Sequence, residues 1–134
     1  MSRTLLLFLV LLLGACVSAQ SRDWRYVQGI EWRLAELEGR SALEDVEVTL
    51  RLEGDRQIVG LGGVNRYFGS FAREGRRFAI AGVASTRMAG PRHSLEQERL
   101  YLALLERVDG FLVEEGRLTL LEGDRAVLGF RPAR

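Results

Sequence analysis

The stretch Val46-Glu47-Val48-Thr49-Leu50-Arg51-Leu52-Glu53 alternates apolar and polar side chains from end to end. Successive side chains of a β-strand point to opposite faces of the sheet, so this period of two predicts a strand with one buried face and one wet face. The turn signal Gly54-Asp55 follows directly, and the apolar run from Ile58 to Leu61 comes next. Together these features predict a β-hairpin.

The dipeptide Glu-Gly recurs outward from this hairpin, each time between apolar stretches. It occurs at positions 38–39, 53–54, 74–75, 115–116 and 122–123. Glycine accepts a positive φ, so these pairs predict turns, and their unequal spacing argues against a solenoid repeat. Further strands of normal length are predicted between them, at Tyr67–Ala72, Arg77–Ala84, Phe111–Glu114, Arg117–Leu121 and Ala126–Arg131.

One segment departs from the period of two and predicts a helix. Ser94 and Gln97 have the spacing of a capping box, and Gly110 follows Asp109 as a termination signal. The apolar residues in between recur at helical spacing, at Tyr101, Leu104, Leu105 and Val108. The whole pattern predicts an α+β fold with a curved, mainly antiparallel sheet, half-open and barrel-like, and one amphipathic covering helix.

The N-terminus has the layout of an export signal. Arg3 precedes a nine-residue apolar run, Leu5–Leu13, which is too short for a transmembrane helix of about 20 residues. Leu13-Gly14-Ala15-Cys16 resembles the lipobox of bacterial lipoproteins, which implies lipidation of Cys16 after loss of residues 1–15. The alternative is ordinary secretion with cleavage after Ala19. Because Val and not Asp follows the cysteine, the resemblance implies the outer membrane, with the protein facing the periplasm.

The predicted organisation is a signal peptide (1–15), an anchor and tether (16–29) and one domain (30–134). Trp24 and Tyr26, in the tether, would pack either on the domain or at the lipid interface. The remaining chain is long enough for one core and too short for two.

Composition excludes several classes of function. The 19 basic residues are all arginine and face 18 acidic residues, so there is no basic excess for nucleic-acid binding. Cys16 is the only cysteine and His93, expected in a loop, is the only histidine, which excludes a zinc site built from several Cys and His ligands. We therefore predict no catalytic residues, no metal and no cofactor.

Four separated motifs resemble the META domain found in HslJ-like bacterial envelope proteins, over roughly residues 30–131. They are Gly62–Gly69; Ser85–Pro91 with Gln97-Glu98 and Tyr101-Leu102; Trp32-Arg33-Leu34 with Leu37 and Gly39; and Leu118-Thr119-Leu120 with Phe130. The candidate motif residues are Gly62, Gly63, Asn65, Tyr67, Gly69, Thr86, Arg87, Met88, Gln97 and Glu98.

The chain departs from the family at two positions. Val64 and Gly90 stand where the family often has cysteines, which removes any disulfide or redox role. If the two loops still meet, Val64 would fill the space opposite Gly90. We predict that these two residues pack together.

The glycine-rich motif predicts a rigid corner rather than an anion-binding loop. Glycines around a strand allow close backbone approach or a bulge, and Asn65 tolerates a left-handed conformation while its amide ties the turn to neighbouring backbone groups. Glu98, at the margin of the apolar stripe, is predicted to reach Thr86 or Arg87 in the preceding loop. A general acid or base role for Glu98 is the alternative.

The resemblance implies a non-enzymatic envelope lipoprotein with a binding or accessory role in outer-membrane maintenance or stress tolerance. The alternative is an inhibitor or accessory factor of an envelope protease or assembly machine. Expected partners are the membrane through the lipid anchor and an envelope protein or small hydrophobic ligand, with the domain a monomer. The run Arg73-Glu74-Gly75-Arg76-Arg77 is predicted to keep a hairpin end soluble, with contact to anionic lipid as the minor alternative.

Overall fold

A computed structural model of the chain describes residues 24–134. The predicted signal peptide, Cys16 and the first part of the tether lie outside these residues. Helix α1 is described over residues 24–27, and helix α2 spans Arg92–Leu105. The strands are β1 (Glu31–Leu37), β2 (Arg40–Ser41), β3 (Thr49–Glu53), β4 (Gln57–Leu61), β5 (Arg66–Glu74), β6 (Arg77–Ser85), β7 (Gly110–Glu114), β8 (Arg117–Glu122) and β9 (Arg125–Pro132).

The strands form one antiparallel sheet in the order β2-β1-β3-β4-β5-β6-β7-β8-β9. The second strand in this order, β1, also pairs with β9, the last, so β1 and the strands from β3 to β9 form a ring, and the short β2 pairs with the end of β1. The hydrogen-bonded seam is weakest between β6 and β7, which pair through Arg77 and Gly110. Helix α2 connects these two strands. The predicted α+β class, curved antiparallel sheet and covering helix are confirmed.

The core fills the inside of the ring and the contact with α2. The apolar residues of the alternating stretch are all buried: Val46, Val48, Leu50 and Leu52. The ladder of β3 nevertheless begins at Thr49, later than the predicted residue 46, because the chain at Val46 makes a bend instead of pairing. The largest fully buried side chains are Trp32, Tyr67, Tyr101, Phe78 and Phe130.

The folded part of the chain begins earlier than predicted. Trp24 and Val27, assigned above to the tether, are buried in the core. The Trp32 indole Nε1 donates a hydrogen bond to the Val27 carbonyl at 3.0 Å, and Tyr26 remains 44% exposed. Residues 24–29 therefore belong to the domain, because burial of an indole stabilises their position against the sheet.

The predicted capping box of α2 is wrong. The helix begins at Arg92 after Pro91, so Ser94 lies inside it, and no side chain caps its first turn. Gln97 instead accepts a tertiary hydrogen bond from the Leu43 amide, 2.8 Å away. The helix ends at Leu105, before the predicted Asp109, yet Val108 is still buried. His93, expected in a loop, lies in the first turn of the helix.

Among residues 24–134, no helix is both long and apolar enough to cross a bilayer.

Candidate functional site

The glycine-rich motif forms the tight turn between β4 and β5. The Gly62 amide donates to the Asn65 carbonyl at 2.8 Å, which closes the turn. Gly63 has φ +124°, a backbone conformation that residues other than glycine rarely adopt. A Cβ at Gly62 would lie 2.9 Å from the Cγ of Glu98 on α2. The turn is thus shaped so that a helix side chain can approach its backbone closely.

The Glu98 carboxylate occupies the space beside the Gly62 backbone. It is 4% exposed and accepts hydrogen bonds from the Val64 and Asn65 amides at 2.8 and 2.7 Å through Oε2. Its Oε1 accepts a third bond from Asn65 Nδ2 at 2.6 Å. Charge-assisted bonds of this kind are roughly twice as strong as bonds between neutral groups. Glu98 therefore fastens α2 to the turn between β4 and β5.

Asn65 extends the connection to the loop after β6. Its Oδ1 accepts hydrogen bonds from Thr86 Oγ1 at 3.0 Å and from the Met88 amide at 2.6 Å. The expectation that the Asn65 amide ties neighbouring backbone groups is confirmed. Asn65 does not have a positive φ, so the left-handed conformation expected for it is wrong. Within this turn, the positive φ is at Gly63 instead.

The predicted link between Glu98 and the loop exists, but Asn65 mediates it. Arg87 is exposed and makes no hydrogen bond or ion pair with any residue between 24 and 134. The prediction of an Arg87–Glu98 contact is therefore wrong, because two backbone amides and a side-chain amide already occupy the carboxylate. Met88 is exposed at its side chain and contributes its backbone amide.

Val64 and Gly90 pack together as predicted. A Cβ at Gly90 would lie 2.8 Å from both γ-carbons of Val64 and 3.4 Å from its Cβ. The valine side chain therefore occupies the space directly opposite the glycine. No larger residue fits at position 90 unless residue 64 becomes smaller.

A pair of buried hydroxyls lies beneath this corner. Tyr67 and Tyr101 Oη atoms are 2.6 Å apart, and Tyr67 Oη donates to the Thr49 carbonyl at 2.6 Å. Burial raises the pKa of Tyr67, and the hydrogen bond from Tyr101 opposes this in part. Burial also raises the pKa of Tyr101, and repulsion by an ionised Tyr67 adds to the shift. Both hydroxyls remain neutral donors, which suits them to join α2 to β3 and β5.

Gly69 has a separate role in the sheet. The register between β5 and β6 shifts between Phe68 and Ser70, which corresponds to a bulge, one of the two alternatives predicted for the glycines around this strand. A Cβ at Gly69 would lie 3.3 Å from the Ala81 carbonyl oxygen, so the absence of a side chain permits close strand approach. Gly69 is therefore not part of the Glu98–Asn65 network.

A groove of about 520 Å³ lies between α2 and the segment that follows β1. Leu43 and Leu100, both 39% exposed, form apolar walls. Gln97, 8% exposed, lies between them, and its Nε2 atom has no hydrogen-bond partner within residues 24–134. At one side His93 Nε2 lies 3.2 Å from Asp45 Oδ2, with both side chains exposed. This groove combines apolar walls with an unused donor, which are the features of a small binding site.

The structure thus brings together most, but not all, of the predicted motif residues. The network contains Gly62, Gly63, Asn65, Thr86, Met88 and Glu98; Tyr67 lies beneath it, whereas Gln97, Gly69 and Arg87 lie elsewhere. Sequence reasoning missed the carbonyl of Thr49 and the tight fit at Gly60, where a Cβ would meet Tyr67 Oη at 2.7 Å. Backbone acceptors of this kind leave no signal in side-chain patterns.

The network offers little for catalysis. Its carboxylate and amide groups are occupied by each other, and no nucleophile stands beside a base in it. Within the described residues, no group of three or more His, Cys, Asp or Glu side chains has a geometry that could hold a metal ion. The hydrogen bonds of the network connect α2 to the turn between β4 and β5 and to the loop after β6.

The chain belongs to the META domain family, since the family model matches residues 25–134. An NMR structure of a protein from Burkholderia xenovorans has a similar fold, with a TM-score of 0.64 and 24% identity over 81% of this chain and 85% of that one. A second NMR structure has a TM-score of 0.64 and 17% identity over 81% of this chain and 92% of that one. At these identities the likeness concerns the fold alone. No curated protein matches the chain.

Proposed function

We propose that this META-domain protein is a non-enzymatic lipoprotein of the bacterial envelope. It is anchored through Cys16 to the periplasmic side of the outer membrane and has a binding or accessory role in membrane maintenance or stress tolerance. The anchor and the location are inferred from the signal sequence and its lipobox-like end. The binding role is inferred from the domain itself.

One observation carries the binding role. The Glu98 carboxylate, the most buried charged group of the family motifs, is occupied by three hydrogen bonds from the turn it supports. A general acid or base needs a proton-transfer partner on a substrate, and this carboxylate has no free side for one. The motifs therefore serve to hold a rigid scaffold, on which exposed surfaces are available for a partner.

The groove between α2 and Leu43 is the surface that suits a partner best. Exposed Leu43 and Leu100 offer apolar contact, and Arg40 lines the same groove. Gln97 Nε2 is a buried donor that lacks a partner among the described residues, and it would gain an acceptor from a carbonyl or carboxylate oxygen of a ligand that reaches it. A peptide segment of an envelope protein or a small amphipathic ligand has both required features.

The anchor is tested by metabolic labelling with radioactive palmitate and by the mass of the mature protein. We expect acylation of the wild-type chain at residue 16 and none in Cys16→Ser. An unlabelled wild-type protein that begins after Ala19 would contradict the lipoprotein part of the proposal.

The binding role is tested by photo-crosslinking in intact cells. A photoreactive amino acid at Leu100, in the groove, should give a discrete adduct that is absent when the same amino acid replaces exposed Ala126 on β9. The mass of the adduct distinguishes a protein from a lipid or small ligand, and an adducted protease would favour the inhibitor alternative. Equal adducts from both positions would contradict a groove partner.

The absence of catalysis is tested with purified protein and Arg87→Ala. Arg87 is exposed and contacts no described polar group, so its replacement should leave folding unchanged. Turnover of an envelope substrate by the wild type that disappears in this variant would contradict a non-enzymatic role.

A further inference from the structure

The tether reaches the domain at one end of the barrel. Trp24, the first described residue, packs edge-on or tilted against the rings of Phe71, Phe78 and Phe111, with centroids 5.5–6.0 Å apart. Gln28 Nε2 donates to the Gly54 carbonyl at 3.1 Å, which joins the same segment to the turn between β3 and β4. The tether therefore ends beside the turns that follow β3 and β5.

The tether is short. An extended chain covers at most about 3.6 Å per residue, so Trp24 lies within about 29 Å of Cys16. If Cys16 carries the acyl chains, this end of the barrel is held close to the bilayer. The opposite end, with Asn65 and the loop around Thr86, is held farther away.

Arginines cluster at the end that the tether reaches. We define the basic end as Arg25, Arg56, Arg73 and Arg77, all of which are exposed. Arg73 lies over the Trp24 ring at 4.5 Å, and the Arg56 carbonyl accepts from the Phe71 amide at 2.8 Å, so both flank the aromatic cluster. Asp55 and Glu74 are the acidic residues within the same two turns.

The charges of the basic end are available to an external anion. Arg25, Arg56, Arg73 and Arg77 form no ion pair with a residue in the described part of the chain. By contrast, arginines on the β8–β9 side pair with glutamates, as Arg107 and Arg125 do with Glu122. The turn between β7 and β8 carries Glu114 and Glu115 and is acidic.

We propose that the basic end lies against the bilayer and binds the phosphates of anionic phospholipids. This inference rests on the proposed lipid anchor, which brings the basic end to the surface. The arginines then orient the domain, with the turn between β5 and β6 toward the membrane and the turn between β7 and β8 tilted away. Two signals, acyl chains and a basic patch, together fix a peripheral protein more firmly than either does alone.

The charge contribution is tested without the anchor, so that its result does not depend on lipidation. The probe is co-sedimentation of the mature chain carrying Cys16→Ser with phosphatidylcholine vesicles that contain or lack phosphatidylglycerol. We expect binding to the anionic vesicles that falls with added salt. Arg56→Gln with Arg77→Gln should lower the bound fraction at least threefold. The matched control, Arg87→Gln with Arg99→Gln, removes the same charge at exposed positions elsewhere and should have little effect.

The orientation is tested on the acylated protein in the same anionic vesicles. Acylated Cys16 is no longer a thiol, so a single new cysteine can carry a fluorophore. We expect a probe at Ala79, next to the β5–β6 turn, to be quenched by headgroup-labelled lipid more than probes at Glu114 or Ala89.

Equal loss of vesicle binding in the two double variants, or equal quenching at the three positions, would overturn the proposal. A protein that proves not to be acylated refutes the anchor instead, and the co-sedimentation result still decides the role of the basic end.

Discussion

At the residue scale, one carboxylate organises the corner that the glycine-rich turn forms. Glu98 contacts the turn between β4 and β5 through both oxygens, and Asn65 relays that contact to the loop after β6. Sequence spacing could place Glu98 at the margin of the apolar stripe, but it could not identify the donors that bond to the Glu98 carboxylate. These are backbone amides, which every non-proline residue carries.

The first prediction concerns Glu98→Gln. A glutamine amide presents one oxygen, so at least one of the donors from Val64 and Asn65 loses its acceptor. We expect a loss of about 1–3 kcal/mol in the free energy of unfolding, measured by urea titration. Glu96→Gln, at an exposed position on the same helix, is the control. Unchanged stability in Glu98→Gln would refute the structural role of this carboxylate.

The second prediction uses the contact between Val64 and Gly90. The distance of 3.4 Å between a Cβ at Gly90 and the Val64 Cβ is close to the range found in disulfides, about 3.5–4.5 Å. In a Cys16→Ser background, Val64→Cys with Gly90→Cys should oxidise to a disulfide and stabilise the domain by about 3 kcal/mol. Thiol counting and urea unfolding with and without reductant measure this, and Val64→Cys alone is the control. Free thiols that persist under oxidising conditions would contradict the packing.

The third prediction concerns alkaline pH. Burial raises the pKa of Tyr67 and of Tyr101 in the folded protein, while in the unfolded chain both titrate near the ordinary value of 10.0. Their contribution to stability is therefore complete below about pH 10 and is lost as the pH rises beyond it. Urea midpoints between pH 8 and pH 11 should fall at the alkaline end. Tyr67→Phe should show a smaller fall, and an identical pH dependence in this variant would count against the buried pair.

At the scale of elements, the strands follow the sequence pattern closely and the helix follows it in part. Alternating apolar and polar residues predict a strand because one face of the sheet is buried. Helical spacing likewise finds the stripe of Tyr101, Leu104 and Leu105, all fully buried. The predicted capping box is wrong because the helix begins at Arg92, which places Ser94 inside it, and the Gln97 side chain bonds to the Leu43 amide instead.

The fourth prediction tests the buried stripe of α2. Leu105→Asp places a charge among apolar side chains without a partner, so we expect loss of the cooperative unfolding transition or destabilisation of more than about 3 kcal/mol. Circular dichroism with thermal melting measures it. Ala103→Asp, exposed on the same helix, should melt within a few degrees of the wild type. Equal melting temperatures for Leu105→Asp and the wild type would contradict the assignment of Leu105 to the buried face of α2.

At the scale of the whole molecule, the ring depends on residues far apart in the chain. Pairing of β1 with β9 brings Leu34 opposite Phe130, and Trp24 covers the aromatic cluster at one end of the barrel. No local pattern predicts either contact, because each joins segments separated by most of the domain.

The fifth prediction tests the contact of Trp24 with the aromatic cluster. Trp24→Ala removes an indole that contacts three phenylalanine rings, and we expect a loss of about 3 kcal/mol in the free energy of unfolding. Tyr26→Ala, at a largely exposed neighbour, should cost markedly less. The two variants are compared by urea unfolding. If they are equally stable, α1 belongs to the tether after all.

Local patterns in the amino-acid sequence were sufficient for the α+β class, most strands and the apolar face of the helix, and the family resemblance was sufficient for the contact of Val64 with Gly90. These features depend on side-chain period, glycine conformation and a family resemblance, all of which are visible in short stretches. Three-dimensional packing alone decided the partners of Glu98, the place of Trp24, the exposure of Arg87 and the closing of the ring. Each of these depends on which distant backbone groups meet in the core, and burial of apolar surface selects that arrangement for the molecule as a whole.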